Sequence, residues 1–554
     1  NGMRVFVATR GRFLAAVATL ALLLTACNRT PWSTPGERGV AATPAAPSDA
    51  KSIDDFVFGR LRQLKLEPAP DCSDEVFFRR VNIDVLGTLP TADEAARFFA
   101  DPSKVKRRVL VDELLKREEF ADYWTMKWGD LLRIKAEFPI NLWPNAAQAY
   151  TRYVRTSIAQ NKPYDQFARE LLISNGSNFR VGQVNFYRAM QNRTPEGIAV
   201  AVALTFMGTR ADKWPESKLA DMAVCFSKVG YKPTREWKEQ IVFWDPAKTV
   251  PSADMKGPND ATKAVAPKAP LEAVLPDGTR IRIAADRDPR VAFADWLIAP
   301  KNEWFARSIA NRVWAWLMGR GLVHEADDIR PDNPPSHPEL LAFLERELVT
   351  HRYDLRHLYR LILNSRAYQL SAQGQSPGPA AELNFASYPL RRLEAEVFID
   401  AINKVTGTYD LYTSAIPEPF TYIPKDIPAI ALADGSITSS FLALFGRSAR
   451  ATGEESERVS KVLPGQLLHL LNSTHIQNKI EKGPGLKAVW DSKRSDREKL
   501  DRLYLTILSR LPTNIEARTA MAYCAPGSSG SQSRESWTDL AWALINSDEF
   551  LFRH

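Results

Sequence analysis

Thiols are scarce in this chain of 554 residues, which holds only four cysteines, Cys27, Cys72, Cys225 and Cys524. None of them stands in a CxxCH motif, so covalently attached haem is disfavoured. An iron–sulfur cluster, which needs several thiolates, is disfavoured too. If Cys27 is modified as argued below, three widely spaced thiols remain, which is no disulfide framework. One disulfide and buried unpaired cysteines stay open as alternatives.

Other familiar signatures are also missing. The seven histidines include no HExxH, and His351 and His357 are six positions apart, off a shared helical face, which disfavours zinc. The sequence contains no GxSxG, phosphate-binding loop or dinucleotide fingerprint. Its formal charge of +8 comes from lysines and arginines scattered among 65 acidic residues, not from basic runs. Nucleic acid is therefore not an expected partner.

The N-terminal segment carries an export signal. A basic start is followed by an apolar run from Phe13 to Leu24, which is too short for an ordinary membrane span. The run ends in Leu-Thr-Ala-Cys, which resembles the lipobox of bacterial lipoproteins and implies a signal peptide over 1–26 and lipidation of Cys27. Residues 27–50, rich in Pro, Ala, Ser and Thr, are then a flexible tether. We expect a lipid-anchored protein of the bacterial cell envelope, periplasmic or on the outer surface; a plain cleaved signal is the alternative.

The rest of the chain is predicted to be mainly α. Helical periodicity predicts an N-terminal helical domain over 51–230 and a C-terminal helical domain over 290–554. Thr91 and Glu94 form a capping box, and Pro195–Met207 is apolar enough to be a buried helix. Between the domains, 231–289 reads as an irregular linker with many prolines. Within it, AVLPDGTRIRI predicts a small β-hairpin around a Pro-Asp-Gly turn.

The stretch DDIRPDNPPSHPE, residues 327–339, concentrates polar groups. Ser336 and Glu339 fit a capping box that opens a helix, with Pro338 in its first turn. That interpretation leaves Asp327, Asp328, Arg330 and His337 unexplained. A carboxylate such as Asp328 beside the imidazole of His337 is suited to general acid–base work, and a salt-bridged loop with a histidine at the helix start is the alternative. Calcium is a further alternative, since hard oxygen ligands come from Asp327, Asp328, Asp332 and Asn333.

A second group of charges follows Gly446. Arg447 and Arg458 are suited to gripping carboxylate or sulfate groups, and a solvated ion-pair face is the alternative. The next segment, LPGQLLHLLN, is predicted to be a core helix in which His469 is a hydrogen-bonded core residue. Tryptophans near acids and arginine at Trp124, Trp128 and Trp143 suit either a sugar-binding wall or core packing, and packing is favoured.

Several segments together resemble a known family. In the C-terminal half they include ANRVWAWLMGRGLVHEADDIRPDNPPSHPELLAFL, RRLEAEVFIDAINKVTG and SERVSKVLPGQLLHLLN; in the N-terminal half, FFRRVNIDVLGTLPT, NKPYDQFARELL and TPEGIAVAVALTFMGTR. The chain is similar to the planctomycete-type, cytochrome-associated proteins that pair the domains of unknown function fifteen-forty-nine and fifteen-fifty-three. The resemblance implies an exported protein that acts beside a second exported protein, of the domain-of-unknown-function fifteen-oh-one type. Family members commonly insert a CxxCH segment where TFMGTR here runs directly into ADKW.

Two functions follow as hypotheses. The first is a membrane-tethered, non-redox binding or assembly component of the envelope. The second is a hydrolase or lyase acting on a polysaccharide, with Asp328, His337, Arg447 and Arg458 as catalytic candidates drawn into one cleft. Carboxylates serving glycoside hydrolysis would lie roughly 5–9.5 Å apart there. No resident cofactor or metal is predicted.

Overall fold

Helices form most of the structure, and several begin at side chains that the sequence marks. In this computed structural model, which describes residues 51–249, 270–376, 378–524 and 530–554, Thr91 Oγ1 accepts from the backbone N–H of Glu94 while Glu94 Oε2 accepts from that of Thr91. The capping box is therefore confirmed. The predicted signal peptide 1–26, tether 27–50 and lipidation site Cys27 lie outside the described residues, as do 250–269 of the linker.

The helices before the linker lie within 51–230, where helical periodicity predicts them. They are α1 (Ile53–Leu64), α2 (Asp74–Leu86), α3 (Ala92–Ala100), α4 (Lys106–Leu114), α5 (Glu118–Leu131), α6 (Pro144–Ala159), α7 (Tyr164–Ile173), α8 (Asn185–Arg188), α9 (Pro195–Val202) and α10 (Glu216–Ala223). A π-helical turn, Ala203–Met207, continues α9, and its residues are buried as the sequence predicts. Of the described helices, none has both the length and the apolar character to cross a bilayer.

The helices after the linker are more numerous. They are α11 (Pro289–Leu297), α12 (Phe305–Met318), α13 (Pro338–Thr350), α14 (Leu355–Leu363), α15 (Pro379–Leu383), α16 (Ala395–Thr406), α17 (Ser440–Leu444), α18 (Pro464–Asn472), α19 (Thr474–Lys482), α20 (Pro484–Trp490), α21 (Asp496–Ile507), α22 (Asn514–Cys524), α23 (Gly530–Ile545) and α24 (Asp548–Leu551). The mainly α fold class is thus confirmed.

Strands are few and short. The predicted hairpin is present as β4 (Leu271–Val274) antiparallel to β5 (Arg280–Ile283). Sequence reasoning missed a three-stranded antiparallel sheet in the order β1 (Gly176–Ser177), β3 (Gln240–Trp244), β2 (Val229–Pro233). Pro233 makes β2 hard to recognise as a strand from its sequence. The proline is tolerated because it is the last residue of an edge strand. The last pair joins β6 (Arg391–Arg392) to β7 (Phe552–Arg553).

The two helical regions meet across a shared core. Arg79 and Arg80 on α2 donate to backbone oxygens of Ile507 and His554, more than 400 positions later. Residues Lys51–His554 form one compact unit, in which α3 packs on α21 and α2 packs on α5. The predicted domain limits at 230 and 290 stay predictions.

The tryptophans mainly serve this core. Trp124 and Trp128 are each 2% exposed, and both pack against Trp316. The packing interpretation is confirmed for these two, while the partly buried Trp143 packs edge-on against Phe420. All three cysteines of the described residues, Cys72, Cys225 and Cys524, are buried and unpaired.

Candidate functional site

Arg447 and Arg458 converge on one carboxylate. Arg458 donates from Nη1 to Oε2 of Glu396 at 2.6 Å, and Arg447 donates from Nε to Oε1 of the same side chain at 3.2 Å. Glu396 lies on α16 and its side chain is fully buried. The sequence predicted that this arginine pair suits a carboxylate, and the carboxylate in place is the protein's own.

A second acid completes the arrangement from α5. Asp130 accepts from Nε of Arg458 at 3.0 Å through Oδ2 and from Nε of Arg450 at 2.9 Å through Oδ1. The side chains of Arg450 and Arg458 are 1% and 10% exposed, so the interpretation as a solvated ion-pair face is wrong. The arginines are buried because their acidic partners lie on the distant helices α5 and α16. A local sequence pattern does not indicate partners so far away in the chain.

The buried charges extend toward the chain's C-terminal strand. Lys127 on α5 forms an ion pair with Glu394, and Nη1 of Arg553 donates to Oδ1 of Asp84 at 2.9 Å. Burial pushes the pKa of Glu394 up, but Lys127, Arg553 and Arg458 outweigh it and hold that pKa well below its usual range. Likewise burial raises the pKa of Glu396, while Arg458 and Arg447 bring it down to about 2.

Glu455 behaves in the opposite way. Burial raises the pKa of its carboxyl to about 7, and neighbouring Asp327 adds to the effect. Its backbone N–H donates to Oδ2 of Asp327 at 2.8 Å, and the other oxygen of Asp327 accepts from Nη2 of buried Arg312 at 2.6 Å. A carboxyl that titrates near neutrality is suited to proton transfer or to a pH response. The sequence gave no sign of this raised pKa.

The other two candidates, Asp328 and His337, have partners of their own. Asp328 forms an ion pair with Arg330 at 3.2 Å, and neither Asp328 nor His337 has a hydrogen bond or ion pair with Arg447 or Arg458 within the described ranges. His337 is 4% exposed, packs against Phe385, and has its pKa lowered to about 4, chiefly by burial. The structure thus brings the two arginines together on Glu396, while Asp328 and His337 do not contact them; the shared cleft stays a prediction.

The predicted capping box at Ser336 is wrong. The N-cap of α13 is His337, no side chain caps the helix, and Ser336 instead lies 3.0 Å from Nδ1 of His337 through its hydroxyl. Because Pro338 fixes the first helical position, Ser336 falls one residue too early to reach the free N–H groups. Glu339 faces Lys51 at 3.7 Å.

The carboxylates that could serve as calcium ligands face arginines. Asp327 is paired with Arg312, whereas Asp328 and Asp332 both contact Arg330, at 3.2 Å and 3.3 Å. Asn333 donates through Nδ2 to backbone oxygens of His324 and Asp328. Arginine charge beside these oxygens opposes a cation, so the arrangement lends the calcium hypothesis no support.

Helix α18 exposes the apolar face that was predicted to enter the core. Among its residues Gln466 and Leu470 are buried, and Nε2 of Gln466 donates to the backbone oxygen of Leu444 at 3.0 Å. This inward glutamine turns the leucines outward. We call the resulting exposed apolar group the leucine surface; it consists of Val459 (41% exposed), Val462 (42%), Leu463 (47%), Leu467 (44%), Leu468 (58%) and Leu471 (48%).

A cavity of about 500 Å³ lies beside the leucine surface, and His469 of α18 contributes to its wall. Oδ1 of Asp410 lies 2.8 Å from Nε2 of His475 and 3.0 Å from Nζ of Lys479. The second oxygen of Asp410 is buried without a hydrogen-bond partner. Burial raises the pKa of Asp410, but His475 and Lys479 outweigh it and lower that pKa. Sequence reasoning missed this group because Asp410 is an isolated acid outside the helices, and His475 and Lys479 are isolated polar residues of α19.

Comparison with protein families identifies two regions. Residues 52–213 match the model described as Protein of unknown function (DUF1549), and residues 289–524 match the one described as Protein of unknown function (DUF1553). Neither a curated protein nor a solved structure matches the chain. The two models occur in the order that the sequence resemblance implies and together cover most of the helical regions on either side of the linker. The chain therefore belongs to the family that carries the DUF1549 domain followed by the DUF1553 domain.

Proposed function

We propose that this protein is a membrane-tethered, non-redox binding component of the bacterial cell envelope that assembles with another exported protein. The observation that carries the proposal is the leucine surface. Soluble proteins rarely leave a contiguous group of large apolar side chains open to water, and such groups mark sites of association. Six of them occur here within thirteen residues, from Val459 to Leu471.

The buried ion pairs suit this role. Arg458, the last residue held by Asp130 and Glu396, directly precedes Val459, the first residue of the leucine surface. Arg392 adds a hydrogen bond from Nη2 to the backbone oxygen of Val459 at 2.9 Å. A surface fixed in this way loses little conformational freedom when a partner docks, which favours affinity.

The same contacts argue against catalysis by the two arginines. Every nitrogen of the Arg458 guanidinium donates to Asp130 or Glu396. Arg447 donates to Glu396 and to backbone oxygens of Ile437 and Asp434. A substrate anion would have to displace these acceptors, at the cost of leaving buried carboxylates unpaired.

The partner that we propose is the exported protein of the domain-of-unknown-function fifteen-oh-one type encoded in the same genome. The two proteins are co-expressed, solubilised in detergent and purified through a tag on the partner. We expect wild type and Ile515→Ser, which replaces an exposed apolar residue (69%) outside the leucine surface, to co-purify equally. Leu467→Ser/Leu468→Ser/Leu471→Ser should lose the partner while keeping a wild-type melting temperature. Equal recovery of the triple variant, or no recovery of wild type, would refute the proposal.

Membrane attachment is proposed to occur through Cys27. Each buried acyl methylene contributes about 0.8 kcal/mol, so more than one chain on this residue gives stable anchoring. Cells grown with an alkyne-bearing fatty acid should label the wild-type chain and Cys524→Ala but not Cys27→Ser. Label retained by Cys27→Ser would show that the anchor lies elsewhere.

A second candidate is the polysaccharide-active hydrolase or lyase. The cavity with Asp410 and His475 favours it, because a carboxylate that accepts from Nε2 of an imidazole leaves Nδ1 free as a base. Product release from envelope polysaccharides, measured as new reducing ends or unsaturated sugars, should then be lost in His475→Ala. His324→Ala, which changes an exposed histidine outside the cavity, should retain it. Failure of wild type to act on any such polymer would leave the binding role alone.

A further inference from the structure

A turn between two helices brings together three side chains that are separated in sequence. Helix α13 ends at Thr350 and α14 begins at Leu355, with left-handed backbone at Arg352 (φ 54°) and Tyr353 (φ 59°) reversing the chain. Glu347 lies in the last turn of α13, His351 is its C-cap, and His357 lies in the first turn of α14. The expectation that His351 and His357 share no helical face is met, but the turn nevertheless stacks their rings, with centroids 3.6 Å apart.

The donor atoms stand at the separations that a single ion bridges. Oε2 of Glu347 is 3.0 Å from Nε2 of His357 and 3.4 Å from Nδ1 of His351. One ligand atom from each of the three residues lies within 4.8 Å of the others. A tetrahedral zinc ion with bonds of about 2.0–2.2 Å places its ligands roughly 3.3–3.6 Å apart. The separation of 3.4 Å lies in this range, and the separation of 3.0 Å is a few tenths of an ångström shorter.

The carboxylate is not neutralised by another group. Among the described residues, Glu347 has no lysine or arginine ion-pair partner, and its Oε2 contacts the two histidines. The neighbouring acids are engaged elsewhere: Glu345 pairs with Arg307, and Asp354 accepts from the backbone N–H of His357, which fixes the start of α14. This contrasts with the carboxylates of 327–332, which face arginines.

The three side chains are reachable from solvent and can turn. Their exposed fractions are 27% for Glu347, 41% for His351 and 23% for His357. Because ring lone pairs lie in the ring plane, the two stacked imidazoles must rotate apart to point at one ion. Nδ1 of His351 also gives up its contact of 2.9 Å with the backbone oxygen of Glu347. Partial exposure leaves room for both movements.

We propose that Glu347, His351 and His357 form a binding site for a divalent transition metal, zinc in the first instance. Two imidazoles and one carboxylate suit zinc, whereas magnesium and calcium require sets of oxygen ligands. Three protein ligands leave the fourth position to water or to a donor from a bound molecule. The ion also ties the end of α13 to the start of α14. The site is independent of the leucine surface.

Titration of the tag-free Cys27→Ser chain with ZnCl2 in a calorimeter tests the site. We expect one equivalent to bind. His351→Ala, His357→Ala and Glu347→Gln should each weaken binding by roughly 10-fold or more, since even outer groups around a metal contribute that much. His324→Ala, which removes an exposed histidine elsewhere, is the matched control and should bind as wild type does.

The visible absorption of bound Co²⁺ reports the coordination of the metal and does not respond to a general change in stability. One equivalent of Co²⁺ should give the intense visible absorption of a four-coordinate site in wild type and in His324→Ala, and lose it in His357→Ala. Thermal unfolding of the metal-free variants checks that all are folded. The proposal is overturned if wild type shows no saturable binding at one equivalent. It is equally overturned if the three site variants retain wild-type affinity, or if bound Co²⁺ gives only the weak spectrum of an octahedral ion.

Discussion

Arg458 and Glu396 are joined in the protein interior by two hydrogen bonds, of 2.6 Å and 3.1 Å, although 62 positions separate them in sequence. The pair connects the segment after α17 to α16, and Asp130 ties the same arginine to α5. The guanidinium of Arg458 therefore connects α5 with α16. This relationship gives Arg458 a positioning role beneath the leucine surface and leads to the first prediction.

Replacing Glu396 should destabilise the fold strongly. Glu396→Gln keeps the shape but leaves Arg447 and Arg458 without their shared negative charge, and breaking a buried pair costs about 3–5 kcal/mol. Asp332→Asn is the control, because Asp332 is 73% exposed and its pair with Arg330 contributes about 0–1 kcal/mol. The free energies of unfolding come from urea denaturation at pH 7. A loss for Glu396→Gln no larger than for Asp332→Asn would contradict the role assigned to the pair.

Glu455 should make the stability depend on pH. Its folded pKa of about 7 lies above the unfolded value near 4.3, so between these values the folded state holds a proton that the unfolded state has released. The free energy of unfolding should therefore fall as pH rises from about 4.5 to 7, with about 1–3 kcal/mol lost between pH 5 and pH 7. Urea denaturation at pH 5, 6, 7 and 8 measures this slope.

Glu455→Gln isolates that contribution, because the amide stays neutral throughout. The variant should lose the part of the downward slope that Glu455 contributes, and at pH 8 it should be more stable than wild type. Asp400, whose pKa burial also raises to about 7, keeps its own contribution in both proteins. Glu454→Gln, a change at the neighbouring carboxylate, should keep the wild-type slope. Identical pH profiles for wild type and Glu455→Gln would mean that this carboxyl does not titrate in the expected range.

Local chemistry was readable from the sequence where a feature depends on neighbours in the chain. The capping pair Thr91 and Glu94 and the hairpin at 271–283 need only a few consecutive residues, and both are present. The partners of Asp130 could not be read, because Arg450 and Arg458 lie 320 and 328 positions away. Such pairings are set by packing of whole helices, which periodicity does not encode.

Helix α18 shows a subtler limit. Its composition indicates an apolar helix, but composition does not tell which face is turned inward. Gln466, with its hydrogen bond to Leu444, and the buried Leu470 decide the orientation. For the same reason the sequence did not indicate the proposed metal-binding group. His351 and His357 come together only because the backbone reverses direction at Arg352 and Tyr353. A residue in left-handed conformation other than glycine or asparagine has little signature in sequence.

The orientation of α18 is testable by stability alone. Leu470→Ala removes a side chain that is 4% exposed and should cost about 2–5 kcal/mol. Leu468→Ala, two residues earlier and 58% exposed, should change the free energy of unfolding by less than about 0.5 kcal/mol. The pair is measured by urea denaturation under identical conditions. Equal losses, or a larger loss for Leu468→Ala, would place the leucine surface in the core.

The three thiols of the folded body should resist modification. Cys225 is fully buried, and burial raises its pKa to about 12; burial raises the pKa of Cys524 to about 11 and that of Cys72 as well. At pH 8 a thiol with a pKa of 12 holds roughly 1000-fold less thiolate than one at the unfolded value near 8.5, and only thiolate reacts. The Cys27→Ser chain should therefore release almost no colour from a disulfide-exchange reagent while folded.

Unfolding the same sample in guanidinium should expose three reactive equivalents at once, because the cysteines are free. Two equivalents fewer would reveal a disulfide. Ser460→Cys provides the positive control, since Ser460 is exposed and its replacement should add one fast equivalent to the folded protein. A fast equivalent in the folded Cys27→Ser chain without that substitution would mean that one of the three sites opens to solvent. Single replacements of Cys72, Cys225 and Cys524 by alanine would then identify it by removing the fast phase.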